Sequence, residues 1–344
     1  MRKIMRQIGV KIWVFMGLLS LSALMGCAKA PVSAPQHAAD EAQRMVADAQ
    51  KHLRVLESLA ASEKFPQEFA KASEAFARAE RSLTGNLNDD AYESAQASLR
   101  ISQGIIRKMY RDIAAAAQKT KSDLETLSAD DPENPLPEFL PELEKILDYS
   151  DQLERQEFID PDKLAEDVNT LKQIELNAMK NLEKTLEMDF SFEAGKYELS
   201  KIGKTALDEY YQDVLRGRQS FVALYPGIPV AISVKVVGYA DQVGFQPGTK
   251  LYRRIVEEAG DALPKEWEAR RKYFNQRLSE LRAQAIADYL EQLIYRDILP
   301  QERTHVEKLV RGAGEELPPN LKPPYPYQDP RRRRCNIYST ITAK

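Results

Sequence analysis

Asn275-Gln276-Arg277-Leu278-Ser279-Glu280-Leu281-Arg282-Ala283 opens the helical run that decides the fold of the C-terminal half. From Leu278 to about Ile294, Leu278, Leu281, Ala285, Ile286, Tyr289, Leu290 and Leu293 recur at helical spacing. Asn275 is placed at or just before the start of this helix. Upstream, past a Pro226-Gly227 turn, Val230, Ile232, Val234 and Val236 alternate with Ala231, Ser233 and Lys235, which predicts a half-buried strand. That strand ends at Gly238-Tyr239-Ala240-Asp241. An acid at a strand end and a base on the following helix make a paired receptor for a zwitterion. Asp241 can accept from an ammonium, and Arg282 can fork onto a carboxylate. The same two side chains could instead pair with each other.

Working outward, Phe190-Ser191-Phe192 reads as a short strand, and Ser200 can cap a helix that buries Leu207, Tyr210 or Tyr211, and Val214. Val306 and Val310 mark a strand ending at Gly312-Ala313-Gly314-Glu315. A Pro-rich loop from Pro318 to Pro330 precedes a last strand, Cys335 to Thr342. The order β-α-β-α-β-β predicts one mixed sheet with helices packed on one face. The run Arg331-Arg332-Arg333-Arg334 reads as a solvated face, and Cys335 as a buried apolar filler.

Four ordered blocks now stand together: Gly238-Tyr239-Ala240-Asp241; Asn275-x-x-Leu278-Ser279-x-x-Arg282-Ala283; Gly312-x-Gly314-Glu315; and paired arginines entering the final strand. In this order they resemble the OmpA-like C-terminal domain, over roughly Met188 to Thr342. The resemblance implies an α+β sandwich that binds peptidoglycan non-covalently through the diaminopimelate of its stem peptides. By motif match it implies Asp241, Asn275 and Arg282 as ligand-binding residues, and Arg334 with its register left open by the four-arginine run. Two positions depart from the family pattern. Ala240 stands where a Thr or Ser is frequent, and the segment 242–274 is a long insert beside the pocket that could cover or narrow it.

The N-terminal half has a different texture. Arg2, Lys3, Arg6 and Lys11 precede an apolar run, Ile12 to Leu24, that is too short to span a bilayer, which needs ~20 residues. It has the layout of a secretory signal over 1–26. Leu24-Met25-Gly26-Cys27 resembles a bacterial lipobox, which implies acylation of Cys27, anchoring in the outer membrane facing the periplasm, and a flexible tether over 27–37. From 38 to 127, apolar stripes such as Met45, Ala49, Leu53 and Leu56 predict three amphipathic helices in an antiparallel hairpin or bundle. Over 128–187 the reading is a loop and spacer helices. The last of these begins at Asp160-Pro161 and runs to about Glu187, with the C-terminal domain following over 188–344.

Composition narrows the function. Lys plus Arg number 49 against 52 Asp plus Glu, so no basic excess points to nucleic acid. The 3 histidines, His37, His52 and His305, lie away from the four blocks, and no nucleophile–base pair or metal-ligand spacing appears. No catalytic residues, metal or cofactor are expected. The expected function is a lipoprotein tethering membrane to wall. The alternative is an envelope scaffold whose helical region recruits a protein partner while the C-terminal domain localises it.

Overall fold

The structure is a computed structural model. It describes residues 34–343 apart from 157, 181, 188–190, 193–195, 244–246, 299–303, 320, 322–323 and 325. The expected signal peptide and Cys27 lie outside the described residues. No helix of the described residues is long and apolar enough to cross a membrane.

The chain is α+β. Helices α1 (Ala34–Ser58), the single turn α2 (Ala61–Lys64), α3 (Pro66–Thr84) and α4 (Asn88–Asp130) form the first layer. Their shared seam is rich in alanine: Val46, Ala49, Ala79, Ala95 and Leu99 pack together, and small side chains let the helix backbones approach closely. Ser98 donates its hydroxyl across that seam to the Ala72 carbonyl at 2.9 Å. Because α1 already begins at Ala34, the C-terminal end of the expected tether is helical.

Helices α5 (Leu140–Gln152) and α6 (Pro161–Lys180) follow. They pack on α4 through Leu143, Ile146, Leu164, Leu171 and Ile174. Asp160 caps α6 as expected, accepting from the Asp162 amide at 3.1 Å. The spacer helix does not reach Glu187. It stops at Lys180, and Leu182–Glu187 forms strand β1. The apolar stripe continues through Leu182, but pairing with the last strand of the sheet overrides helical periodicity there. The strand expected at 190–192 is not the first strand of the sheet. Phe190 lies outside the described residues, and Phe192 makes an isolated bridge to Leu199.

The remaining elements are α7 (Lys201–Leu224), β2 (Val230–Tyr239), α8 (Lys250–Ala259), α9 (Trp267–Asp297), β3 (Thr304–Gly314) and β4 (Arg334–Ala343). The four strands lie in the order β1-β4-β2-β3. β2 and β3 are parallel and β4 is antiparallel to both its neighbours. A parallel pair needs a long crossover, and α8 and α9 supply it. Ile232, Val234, Val236, Cys335 and Ile337 point to one face, where Leu207, Tyr211, Val214, Ile286 and Leu290 of α7 and α9 cover them. Ser200 caps α7 by accepting from the Gly203 amide at 3.0 Å, and both Tyr210 and Tyr211 are buried.

Helices cover this one face, and the opposite face is closed by a loop. The other face carries Val237, Tyr239, Ala313 and Tyr338, and the segment after α4 closes over it. Tyr338 donates its hydroxyl to buried Asp131 at 2.8 Å, while Glu133 takes Lys235 at 3.2 Å and also Arg311. On α6, Asn177 donates to the Ile341 carbonyl and accepts from the Ile341 amide, each at 2.7 Å. It does so where β1 has not yet begun, so one side chain stands in for a missing strand residue on the β4 ladder.

Candidate ligand-binding site

Three glycines let α9 lie directly against the ends of β2 and β3. A Cβ on Gly238 would come closer than 3.0 Å to the Ser279 carbonyl oxygen, and one on Gly312 would come within 2.7 Å of both the Gln276 oxygen and the Glu280 nitrogen. Gly314 adopts a left-handed φ of 55°, which costs a glycine little. Ser279, fully buried, stitches the contact by accepting from the Gly314 amide at 3.0 Å and donating to the Gln276 carbonyl at 2.8 Å. Ala283, one turn on, is small enough to sit under the sheet. The spacing Asn275, Ser279, Arg282 is therefore the spacing of one helix face against two strand ends.

That docking brings Asp241 and Asn275 into direct contact. Asp241 follows β2 and is 6% exposed, Asn275 is 2% exposed and Arg282 is 9% exposed. Asn275 donates its amide to the Asp241 main-chain carbonyl at 2.9 Å and to Glu315 Oε1 at 2.7 Å. The Asp241 carboxylate accepts from the Val243 amide at 3.2 Å, which turns the chain sharply out of the strand. Arg282 stacks over the Phe192 ring at 5.3 Å and donates to the Lys196 carbonyl at 3.3 Å. It also lies near the Cys335 thiol, whose pKa burial drives upward, against a weaker opposing pull from the Arg282 charge. Cys335 is thus an inert filler on the helix face of β4.

Asn275 is not at the helix start. α9 begins at Trp267, so Asn275 lies inside it on the buried face. The extension is stabilised by α8. Leu251 and Ile255 pack on Phe274, and Tyr252 stacks on the same ring at 4.8 Å. The insert therefore folds as a helical wall beside the site. Its outer edge is tied down by Glu258, which takes Arg254 and Arg277 and whose carboxyl those two partners hold below its ordinary value. Arg254 also bonds the Tyr197 hydroxyl, joining the wall to the segment before α7.

Neither a family model nor a curated protein matches this chain.

The arginine run is not a solvated face. Arg331 is exposed and pairs with Asp329 at 2.6 Å, but Arg332 is buried and donates to the Glu315 carbonyl at 2.7 Å. Arg333 Nε lies 3.5 Å from Asp241 Oδ2. Arg334 donates to the Pro319 carbonyl at 2.6 Å. Arg334 is the first residue of β4 and in phase with Asn336 and Tyr338, on the face opposite Cys335 and Ile337.

Two further site residues were not singled out from the sequence. Glu315 was visible as the last residue of its block, yet its role depends on Arg271, which forks onto it with two contacts of 2.9 Å. Arg271 lies in the insert, where no motif points to it. Among the described residues no group of acids, histidines and cysteines could hold a metal ion.

Proposed function

We propose that the C-terminal half is an OmpA-like domain that grips peptidoglycan non-covalently, with Asp241 taking the ammonium and Arg282 the carboxylate of a diaminopimelate centre. One observation carries this reading. The glycines at 238, 312 and 314 admit α9 so closely that Asn275 lies against the strand end bearing Asp241, with Arg282 two turns further along the same helix. The sheet order β1-β4-β2-β3, with α7 and α9 on one face, supports the same family. Anchored through an acylated Cys27 in the outer membrane, such a protein would link membrane to wall from the periplasmic side. Each charge-assisted hydrogen bond contributes about 1.5–3 kcal/mol, so one stem peptide is held modestly. Tethering beside a polymer of repeated stems raises the effective concentration and supplies the grip.

The test is co-sedimentation of the chain from Ala28 onward with purified sacculi. Asp241→Ala and Arg282→Ala should each abolish retention, and retention in both variants would overturn the assignment. Muropeptide turnover in the same mixture would indicate an enzyme instead.

The scaffold reading draws on one feature. Between α4 and α6 a cavity of about 650 Å³, lined by Leu124, Leu127, Leu136 and Ala178, opens beside exposed Met179. It offers a protein partner an apolar foothold on the helical region.

A further inference from the structure

Resting on the wall-binding reading, we infer that the insert adds a second subsite to the clamp. It is an aromatic rim built on Trp267 and Tyr327 that takes the sugar ring to which the stem peptide is joined. The observation is a contrast in exposure. Asp241 and Asn275 are buried, whereas Val243, Trp267 and Tyr327 beside them are between 44% and 66% exposed.

Hydrogen bonds fix where these three residues sit. Val243 gives its amide to the Asp241 carboxylate at 3.2 Å, and the Tyr327 carbonyl accepts from the Gln242 amide at 2.9 Å, so both flank the acid. Trp267 opens α9 one turn before Arg271, and Arg271 forks onto Glu315, the acid that Asn275 also holds. Residues four apart share a helix face, so Trp267 carries that face of the site outward into solvent.

Single exposed apolar side chains are ordinary, but three around one polar centre mark a contact surface. Trp and Tyr each join an apolar ring to a polar tip. A pyranose ring has the matching character, carbon–hydrogen faces bordered by hydroxyls. A hydrocarbon surface would instead bury the indole N–H and the phenol without partners, which is costly. The reach also agrees. Trp267 stands two turns before Asn275, ~12 Å along the helix at ~1.5 Å per residue. In a stem peptide, about two residues and a lactyl bridge separate diaminopimelate from the sugar, ~10 Å at ~3.3 Å per residue.

Two ligands test this on the chain from Ala28 onward: the free tripeptide ending at diaminopimelate, and the same tripeptide on its disaccharide. Calorimetric titration should give the disaccharide form about tenfold the affinity. The chain's tryptophans are Trp13 and Trp267, so Trp267 alone reports from Ala28 onward. Its emission should shift to the blue with the disaccharide form and stay put with the free peptide. Trp267→Ala and Tyr327→Ala should each shrink the sugar's advantage while leaving affinity for the free peptide unchanged, and Trp267→Tyr should keep part of it. Equal affinity for both ligands, with binding still lost in Asp241→Ala, overturns the sugar subsite alone. So does an advantage that survives both alanine variants, an emission unmoved by saturating disaccharide form, or an equal fall in affinity for the two ligands. Self-association dispersed by Trp267→Ala, read by sedimentation velocity, would give the rim to a second copy of the chain and overturn it too. Absence of binding by either ligand, or binding intact in Asp241→Ala, overturns the wall-binding reading and this inference with it.

Discussion

Asn275 holds the main-chain carbonyl of Asp241 with its side-chain amide at 2.9 Å, and the same nitrogen reaches Glu315 at 2.7 Å. One amide thus ties a helix interior to two strand ends. Replacing it by leucine would leave the buried Asp241 carbonyl without this donor, while Glu315 keeps Arg271. Asn275→Leu should cost about 1–3 kcal/mol, the penalty of one buried unsatisfied group, read as a lower urea midpoint. Asn275→Asp should cost more than Asn275→Leu, because it places a second carboxylate against Glu315. Equal or greater stability in either variant would show that the amide is not a support of the site.

Gly238 is predicted to be the least replaceable of the described glycines of the domain. Its obstacle is the Ser279 carbonyl, which is main chain and cannot rotate away. Gly238→Ala must push α9 off β2, and overpacking of this kind costs about 1–3 kcal/mol or more. Because α9 also carries Asn275 and Arg282, retention on sacculi should fall along with stability. Gly104, with open space where its Cβ would sit, serves as the control. Gly104→Ala lies within a helix and should stabilise by about 0.5–1 kcal/mol.

What could be read from the sequence depended on the range of the forces involved. The alternation Val230 to Val236 and the caps at Asp160 and Ser200 are local, and each stands where its residues place it. Leu182–Glu187 misled because its apolar stripe suits a helix and a strand alike, and the partner that decides, β4, lies far along the chain. Asn275 looked like a helix start because the stabilising contact, Phe274 against Leu251 and Ile255, comes from a segment that matches no motif. Arg333 and Arg334 are adjacent letters, and it takes the turn before β4 to set Arg333 3.5 Å from Asp241.

The contact between Asp131 and Tyr338 ties the helical region to the sheet. The Tyr338 hydroxyl is buried, and that burial, reinforced by the carboxylate, pushes its pKa upward. A double-mutant cycle with Asp131→Asn and Tyr338→Phe should give a coupling of about 0.5–3 kcal/mol, the range for residues in direct contact. Thermal unfolding of the wild type should show one transition. A coupling near zero would mean the two halves merely touch.

Acid should loosen the helical region through His52, which is 1% exposed on α1. Its Nδ1 contacts the Asp48 carbonyl at 2.8 Å and so carries the proton, leaving Nε2 to accept from Gln103 at 2.9 Å. Gln103 cannot turn its amide round without losing both of its bonds to Ile159, at 2.8 and 2.9 Å. A second proton on the ring would therefore set donor against donor. Burial already lowers the His52 pKa from the ordinary 6.5, with Asp48 and Asp160 opposing and Lys51 assisting the shift. Since the unfolded chain takes up the proton first, this contribution to stability is complete above about pH 6.5 and is lost as pH falls from there toward the lower folded value. His52→Gln has no such proton to take up. Its urea midpoint should be lower than that of the wild type at about pH 7.5, and the gap should narrow by about pH 5. Parallel pH profiles for the two proteins would rule out His52 as the source of the acid sensitivity.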